Sequence, residues 1–96
     1  MTLEERLAAL AASGATITYG ALARDLGWRV AELTEALERL MEADAANDAP
    51  QRAALLEARL GNGMPAPGFF LKLAELGLTP DDPATFVAET RARLRH

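Results

Sequence analysis

Cysteine is absent from this sequence, and histidine and serine occur once each, as His96 and Ser13. Disulfide bonds, thiolate zinc sites and cysteine nucleophiles are therefore excluded. His96 stands alone at the last position, and Ser13 precedes a glycine at a predicted helix end. Because neither a catalytic triad nor a ligand cluster can be built from these residues, we predict a non-enzymatic protein without metal or cofactor.

Long apolar runs are also missing. Half of the 96 residues are hydrophobic, but no stretch approaches the roughly 18 residues that a membrane-spanning helix needs. The N-terminus reads MTLEERLAAL, in which early acidic residues take the place of the apolar core of a signal peptide. We therefore expect a cytoplasmic protein with no membrane partner, folded as one domain over residues 1–96.

Basic charge is scarce in one segment in particular. The net charge is −4, and residues 29–50 hold six acidic side chains against two basic ones, which accounts for all of it. The acids are Glu32, Glu35, Glu38, Glu42, Asp44 and Asp48, and the bases are Arg29 and Arg39. Nucleic-acid-binding surfaces usually carry a basic stripe, because phosphate neutralisation supplies much of their affinity. The charge of this segment therefore favours solvent or a protein partner over DNA.

Helix-capping residues organise the N-terminal half. Thr2 and Glu5 form a capping box for a first helix that stops at Ser13-Gly14. Residues 15–18 end in β-branched side chains and predict a brief strand, and Thr18 then caps a second helix that ends at Gly27. A third helix is predicted from residue 29 to about residue 46. Its expected buried stripe is Val30, Leu33, Leu37 and Leu40.

Residues 51–60 allow two interpretations. Their composition favours a helix, whereas the alternation of apolar and charged residues from Leu56 to Leu60 favours a strand. We prefer the strand, which would pair with the strand near Ile17 and end at a tight turn, Gly61-Asn62-Gly63.

Two short helices are predicted after this turn. Pro67 and Gly68 open the first, which Gly77 closes, and Asp82 and Pro83 begin the second. The expected inward side chains are Phe69, Phe70, Leu73 and Leu76 in the first, and Phe86, Val87, Thr90 and Leu94 in the second.

The element order and several motifs resemble a known superfamily. The pattern Leu22-Ala23…Leu26-Gly27…Val30…Leu33…Leu37…Leu40 resembles winged helix-turn-helix proteins over about residues 3–60. The run Thr18-Tyr19-Gly20, followed by Leu22-Ala23 and Gly27, is similar to the DNA-binding domain of alkylguanine-DNA alkyltransferases and alkyltransferase-like proteins. Pro67-Gly68-Phe69-Phe70 resembles small bacterial proteins of unassigned role.

This resemblance, together with the predicted elements, implies a fold. We expect a mostly helical α+β domain with a winged helix-turn-helix-like core of three helices and a small two- to three-stranded sheet. Residues 1–60 would form this core and a wing strand, and residues 61–96 would add two C-terminal helices.

The sequence departs from the alkyltransferase pattern at two sites. The Pro-Cys-His-Arg motif of that family is absent, so alkyl transfer to a thiolate is excluded. The stretch Glu32-Leu33-Thr34 stands where the family carries an arginine that fills the space of a flipped base. Tyr19, which resembles the DNA-contacting tyrosine of the family, is the residue whose role carries over.

Two hypotheses about function follow. The first is a nucleic-acid-binding winged helix of a bacterial regulator, with DNA contacts from Tyr19, Arg24, Arg29, Arg39, Arg52 and Arg59. The alternative is a protein-interaction or dimerisation module on the same scaffold. Its predicted contacts are Trp28, between the second and third helices, and Phe86, Val87 and Leu94, which two chains of a homodimer would share.

Overall fold

The computed structural model describes residues 2–95, so His96 lies outside the described residues. The elements are α1 (Leu3–Ser13), β1 (Ile17–Thr18), α2 (Tyr19–Leu26), α3 (Val30–Ala46), a 3-10 helix (Arg52–Leu55), β2 (Leu56–Glu57), α4 (Pro67–Glu75) and α5 (Pro83–Leu94). The predicted mostly helical α+β class is confirmed. No helix within residues 2–95 combines the length and the apolar character that crossing a bilayer requires.

The predicted helix ends are formed as the capping residues indicated. The Thr2 hydroxyl accepts from the Glu5 amide at 3.1 Å, and the Glu5 carboxylate accepts from the Thr2 amide at 2.9 Å. These hydrogen bonds hold the pKa of Glu5 below its ordinary value. The side chains of Thr18 and Asp82 cap α2 and α5 by accepting from the amides of Ala21 and Thr85, without a reciprocal hydrogen bond to the capping residue's own amide. Gly27 ends α2 with φ of 71°, a left-handed conformation that glycine adopts without a steric cost.

The small sheet differs from the predicted one. β1 and β2 do pair, Ile17 with Leu56 and Thr18 with Glu57, but they run parallel. The strand predicted over residues 51–60 shrinks to two residues, and Arg52–Leu55 forms a 3-10 helix instead. The alternation from Leu56 to Leu60 was misleading because the chain turns after Glu57 and leaves Leu60 93% exposed. The three preceding side chains, Ala53 to Leu55, are all buried in the 3-10 helix, which packs against α1, α3 and α5.

An antiparallel wing is not formed by residues 2–95. After β2 the chain closes a tight loop, in which the Ala58 amide donates to the Met64 carbonyl at 2.8 Å. Asn62 and Gly63 adopt positive φ angles in this loop, as the predicted turn requires. Pro65 and Pro67 follow and have no amide proton to donate to a ladder. The sheet therefore keeps two parallel strands and does not show the winged helix-turn-helix topology.

One core cluster draws on every helix. Its largest fully buried members are Leu7 of α1, Leu22 of α2, Leu33 of α3, Leu56 of β2, Leu73 of α4 and Val87 of α5. The predicted inward stripes of α4 and α5 are confirmed, since each of their side chains is buried or half-buried.

The buried stripe of α3 is displaced from the predicted one. Leu33 and Leu37 are buried and Leu40 is half-buried, as expected, but Val30 is 49% exposed. Met41 and Asp44 continue the stripe toward the C-terminus. Val30 is exposed because it lies in the first turn of α3, where the side of the helix that faces the core opens into a groove.

Candidate functional site

An apolar groove of about 320 Å³ lies between α3 and the start of α4. We call it the α3–α4 groove. Its lining residues are Tyr19, Val30, Thr34, Leu37, Glu38, Met41, Ala53, Ala66, Gly68 and Phe69. The groove falls at the small end of the volumes typical of ligand-binding pockets.

Helical spacing determines which side chains of α3 line the α3–α4 groove. Val30, Thr34, Leu37 and Met41 recur at intervals of three and four residues and share one face of α3. Leu37 and Met41 belong to the buried floor, whereas Val30 and Thr34 form an exposed rim. Gly68 lies opposite in the first turn of α4, and a Cβ there would meet nothing within 4 Å. The groove is therefore open at this end.

The hydroxyl groups in the α3–α4 groove are already engaged. The Tyr19 hydroxyl accepts from the Ala66 amide at 3.1 Å, which ties the segment before α4 to the start of α2. Burial raises the pKa of Tyr19, although the Ala66 hydrogen bond and the charge of Arg91 oppose the shift. Thr34 donates to the Val30 carbonyl at 3.0 Å within its own helix. The lining therefore offers mainly apolar surface.

One acidic side chain lies in the lining of the α3–α4 groove, and a salt-bridged cluster lies on the α3 and α4 turns that follow it. Glu38 is half-buried in its lining. Lys72 of α4 approaches Glu42 at 2.9 Å and Glu75 at 3.6 Å. The hydrogen bond with Glu42 raises the pKa of Lys72, and the charges of Glu75 and Glu38 add to the effect. Two carboxylates, Glu42 and Glu75, thus pair with Lys72, while Glu38 acts on it through its charge alone.

A second depression brings together three of the residues predicted to bind DNA. Tyr19, Arg24 and Arg59 line it with Thr18, Gly20 and Ala21. We call it the Arg24–Arg59 depression. Arg24, in the last turn of α2, and Arg59, in the loop after β2, are both exposed. Tyr19 lines both this depression and the α3–α4 groove.

The other predicted DNA contacts lie elsewhere. Arg29 and Arg39 are exposed on α3 or at its start, and Arg39 lines a shallow surface with Trp28, Glu32 and Glu35. Arg52 is engaged in the fold, because its guanidinium reaches the carboxylate of buried Asp44 at 2.8 Å. The Asp44 carboxylate also accepts from the Arg52 amide at 3.0 Å.

The predicted partner-binding residues also differ in how much surface they expose. Trp28 is 36% exposed and stands beside the acidic face of α3. Val87 is only 1% exposed, and Phe86 and Leu94 are half-buried against the core of their own chain. Among these four residues, Trp28 is therefore the one with substantial surface to offer a partner.

Arg91 has a structural role that its sequence context did not reveal. Its Nε donates to the Ala54 carbonyl at 2.7 Å, and its Nη2 donates to the carbonyls of Leu56 and Gly63 at 3.3 and 2.7 Å. Burial lowers the pKa of Arg91, although nearby Glu57 opposes the shift. Arg91 thus joins α5 to the 3-10 helix, β2 and the following loop.

Sequence reasoning also missed the α3–α4 groove itself. Val30 was assigned to the core because it fits the stripe of α3, and no pattern in the sequence indicated that α4 would leave it uncovered. A weak signal was present in the composition of α4, whose exposed Leu71 and Ala74 lie outside its inward stripe. Within residues 2–95 no cluster of three or more carboxylate or histidine side chains is placed to hold a metal.

Comparison of the chain with protein-family models, with curated proteins and with solved structures finds no match.

Proposed function

We propose that this chain is a non-catalytic protein-interaction domain, and that the α3–α4 groove receives an apolar segment of a partner protein. The observation that carries the proposal is the half-exposed Val30 above a buried apolar floor. Binding hot spots are typically apolar or aromatic side chains seated in such pockets.

The apolar surface continues beyond the groove. Leu71 lies one helical turn after Gly68 and is 70% exposed. Leu78, just after α4, is also exposed. Exposed apolar side chains on the helix that borders an apolar groove would extend the area that a partner can cover. Apolar area removed from water contributes about 25 cal/mol per Å², which would supply the affinity for a partner.

A displayed library of random peptides tests the proposal. Selection on the immobilised protein is expected to yield peptides whose binding shifts the amide resonances of residues 30–41 and 66–69. Val30→Glu should abolish their binding, because it places a charge where an apolar group is to be buried. Ala31→Glu is the matched control, since Ala31 is exposed in the same turn but does not line the groove.

Two results would contradict the proposal. One is that no selected peptide shifts resonances of the groove. The other is that the selected peptides bind Val30→Glu as tightly as the unchanged protein. Because an acidic residue in the first turn of a helix is favourable, Val30→Glu should remain folded.

A nucleic-acid-binding function is a second candidate, and the Arg24–Arg59 depression is the observation that favours it. Two exposed arginines beside Tyr19 could contact phosphates. The resemblance of the α2–α3 pair to a winged helix-turn-helix supports this candidate, whereas the acidic exposed side chains of α3 oppose insertion into a groove of DNA.

Titration of a random DNA duplex at low and moderate salt tests this candidate. Binding that weakens steeply with salt, and that is lost in the double variant Arg24→Gln with Arg59→Gln, would support it. Arg93→Gln, exposed on α5, is the control. Arg91→Gln is unsuitable as a control because Arg91 is engaged in the fold. Absence of binding at low salt would exclude it.

A further inference from the structure

The charge at the rim of the α3–α4 groove restricts the partner that the groove can accept. Glu38 lies in the lining, and Glu42 and Glu75 flank Lys72. The Lys72 side chain is only 14% exposed, so its charge is held between these carboxylates. These four residues therefore carry three negative charges against one positive charge, and Glu38 is the member that lies in the groove lining.

A carboxylate beside an apolar surface attracts a cation more strongly than one in open water, because the effective dielectric constant is lower there. Among the three carboxylates Glu38 is the half-buried one, so a neighbouring cation would stabilise its charge the most. An acidic or phosphate-bearing partner would instead add repulsion to the cost of removing Glu38 from water.

The same charges argue against a second copy of this chain as the occupant. A two-fold symmetric contact places the same surface patch on both sides of the interface. Glu38 of both copies would then be buried in the same interface. The net charge of −4 on each chain adds to this repulsion.

Resting on the proposed protein-interaction function, we infer that the partner segment is basic as well as apolar. It places a bulky apolar side chain over Leu37 and Met41 in the α3–α4 groove and a lysine or arginine beside Glu38. An amphipathic helix fits this requirement, since anchors one and two turns apart could reach the groove and then Leu71.

Three synthetic peptides of about 14 residues test the inference. They share leucine and phenylalanine anchors at helical spacing and differ only at the flanking positions, which are all Lys, all Gln or all Glu. Dissociation constants come from amide-shift titrations of the full chain at low salt and at about 0.15 M salt.

The Lys peptide should bind at least about tenfold more tightly than the Gln peptide at low salt, and the Glu peptide more weakly than both. The difference should shrink as salt rises. Glu38→Gln should weaken binding of the Lys peptide about threefold to tenfold and leave the Gln peptide unchanged. Glu35→Gln is the control, because Glu35 faces the surface beside Trp28.

Each failure has a different meaning. Equal binding of the Lys and Gln peptides in the groove would overturn the basic partner and leave the proposed function standing. Absence of groove shifts with all three peptides would overturn both. If the amide resonances of the groove shift with protein concentration in the absence of peptide, a second copy of the chain is the occupant. That result would overturn the inference.

Discussion

The α3–α4 groove and the Arg24–Arg59 depression meet at one residue, Tyr19, yet their chemistry is opposite. The groove has an apolar floor and an acidic rim, whereas the depression carries two exposed arginines. The ring of Tyr19 lines both, and its hydroxyl is hydrogen-bonded to Ala66 between the loop and α4. The tyrosine that the resemblance assigned to DNA thus also belongs to the wall of an apolar site.

This contrast shows how one helix pair can present two kinds of surface. α2 contributes the arginine side, and the first turns of α3 contribute the apolar and acidic side. The loop of residues 58–66 lies next to both, because it supplies Arg59 to one and Ala66 to the other. Substitutions in the contacts that hold this loop should therefore affect both surfaces, while substitutions at either rim should affect one.

The largest effect is expected from Arg91→Met. It removes the donor to three carbonyls, including those of Ala54 and Gly63, and should lower the free energy of unfolding by about 3 kcal/mol. For a domain of this size the midpoint of thermal unfolding should fall by about 10–20 °C. Arg93→Met, exposed on the same helix, should change little. Equal midpoints of thermal unfolding for Arg91→Met and Arg93→Met would show that the hydrogen bonds of Arg91 do not stabilise the fold.

Asp44→Ala should have the next largest effect. It leaves the Arg52 amide and guanidinium without their shared acceptor, so we expect a loss of about 2 kcal/mol in chemical denaturation. Asp25→Ala is the comparison, because Asp25 pairs with Arg6 at the surface and such pairs contribute about 0–1 kcal/mol. If Asp44→Ala lowers the free energy of unfolding no more than Asp25→Ala does, Arg52 is not held in the fold by Asp44. Arg52 would then remain available for its predicted contact with DNA.

Tyr19→Phe tests the wall common to the two surfaces. Loss of the acceptor for the Ala66 amide should cost about 1 kcal/mol and speed hydrogen exchange at that amide. Phe keeps the ring, so the apolar lining should survive. Unchanged exchange at Ala66 would mean that the hydroxyl does not hold the loop.

The pH dependence of Tyr19 follows from its raised pKa. Burial favours the neutral phenol in the folded chain, so the pKa of Tyr19 is higher in the folded than in the unfolded state. The stability that the neutral phenol contributes is therefore present below the ordinary tyrosine pKa of 10.0 and is lost as pH rises through the folded pKa. Tyr19 is the single tyrosine of the chain, so tyrosinate absorbance reports it alone. We expect its midpoint above 10 in the folded protein. The loss of stability at alkaline pH should be smaller in Tyr19→Phe; a midpoint at or below 10 would refute the shift.

The smallest effects on stability are expected at the rims. Val30→Glu, Arg24→Gln and Arg59→Gln change exposed side chains and should each alter the free energy of unfolding by no more than about 0.5 kcal/mol. Their binding effects should nevertheless separate, with peptide binding sensitive to Val30 and any DNA binding sensitive to the arginines. A common loss of both activities in one rim variant would mean that the two surfaces are not independent.

Prediction from the sequence succeeded where the signal was local. The capping box of Thr2 and Glu5, the cap at Asp82 and the glycine at the end of α2 each act within one turn of chain. The inward stripes of α4 and α5 were also predictable, since helical periodicity reports which face an amphipathic helix buries.

Prediction failed where a residue depends on a distant neighbour. Residues 53–55 are buried among three helices, and the alternation from Leu56 to Leu60 could not report that the chain turns away after Glu57. Arg91 meets Ala54 across 37 positions of sequence, and no pattern in α5 distinguishes it from Arg93. Val30 matched the core stripe and was exposed because α4 covers only the later turns of that face.

The sequence by itself thus determined the helices, their ends and most of their buried faces, because these depend on residues three or four positions apart. The tertiary structure decided the parallel pairing of β1 with β2, the use of Arg52 and Arg91 inside the fold, and the opening of the α3–α4 groove. Each of those outcomes depends on which elements pack together and how much of one element another covers. That packing joins segments that lie far apart in the sequence.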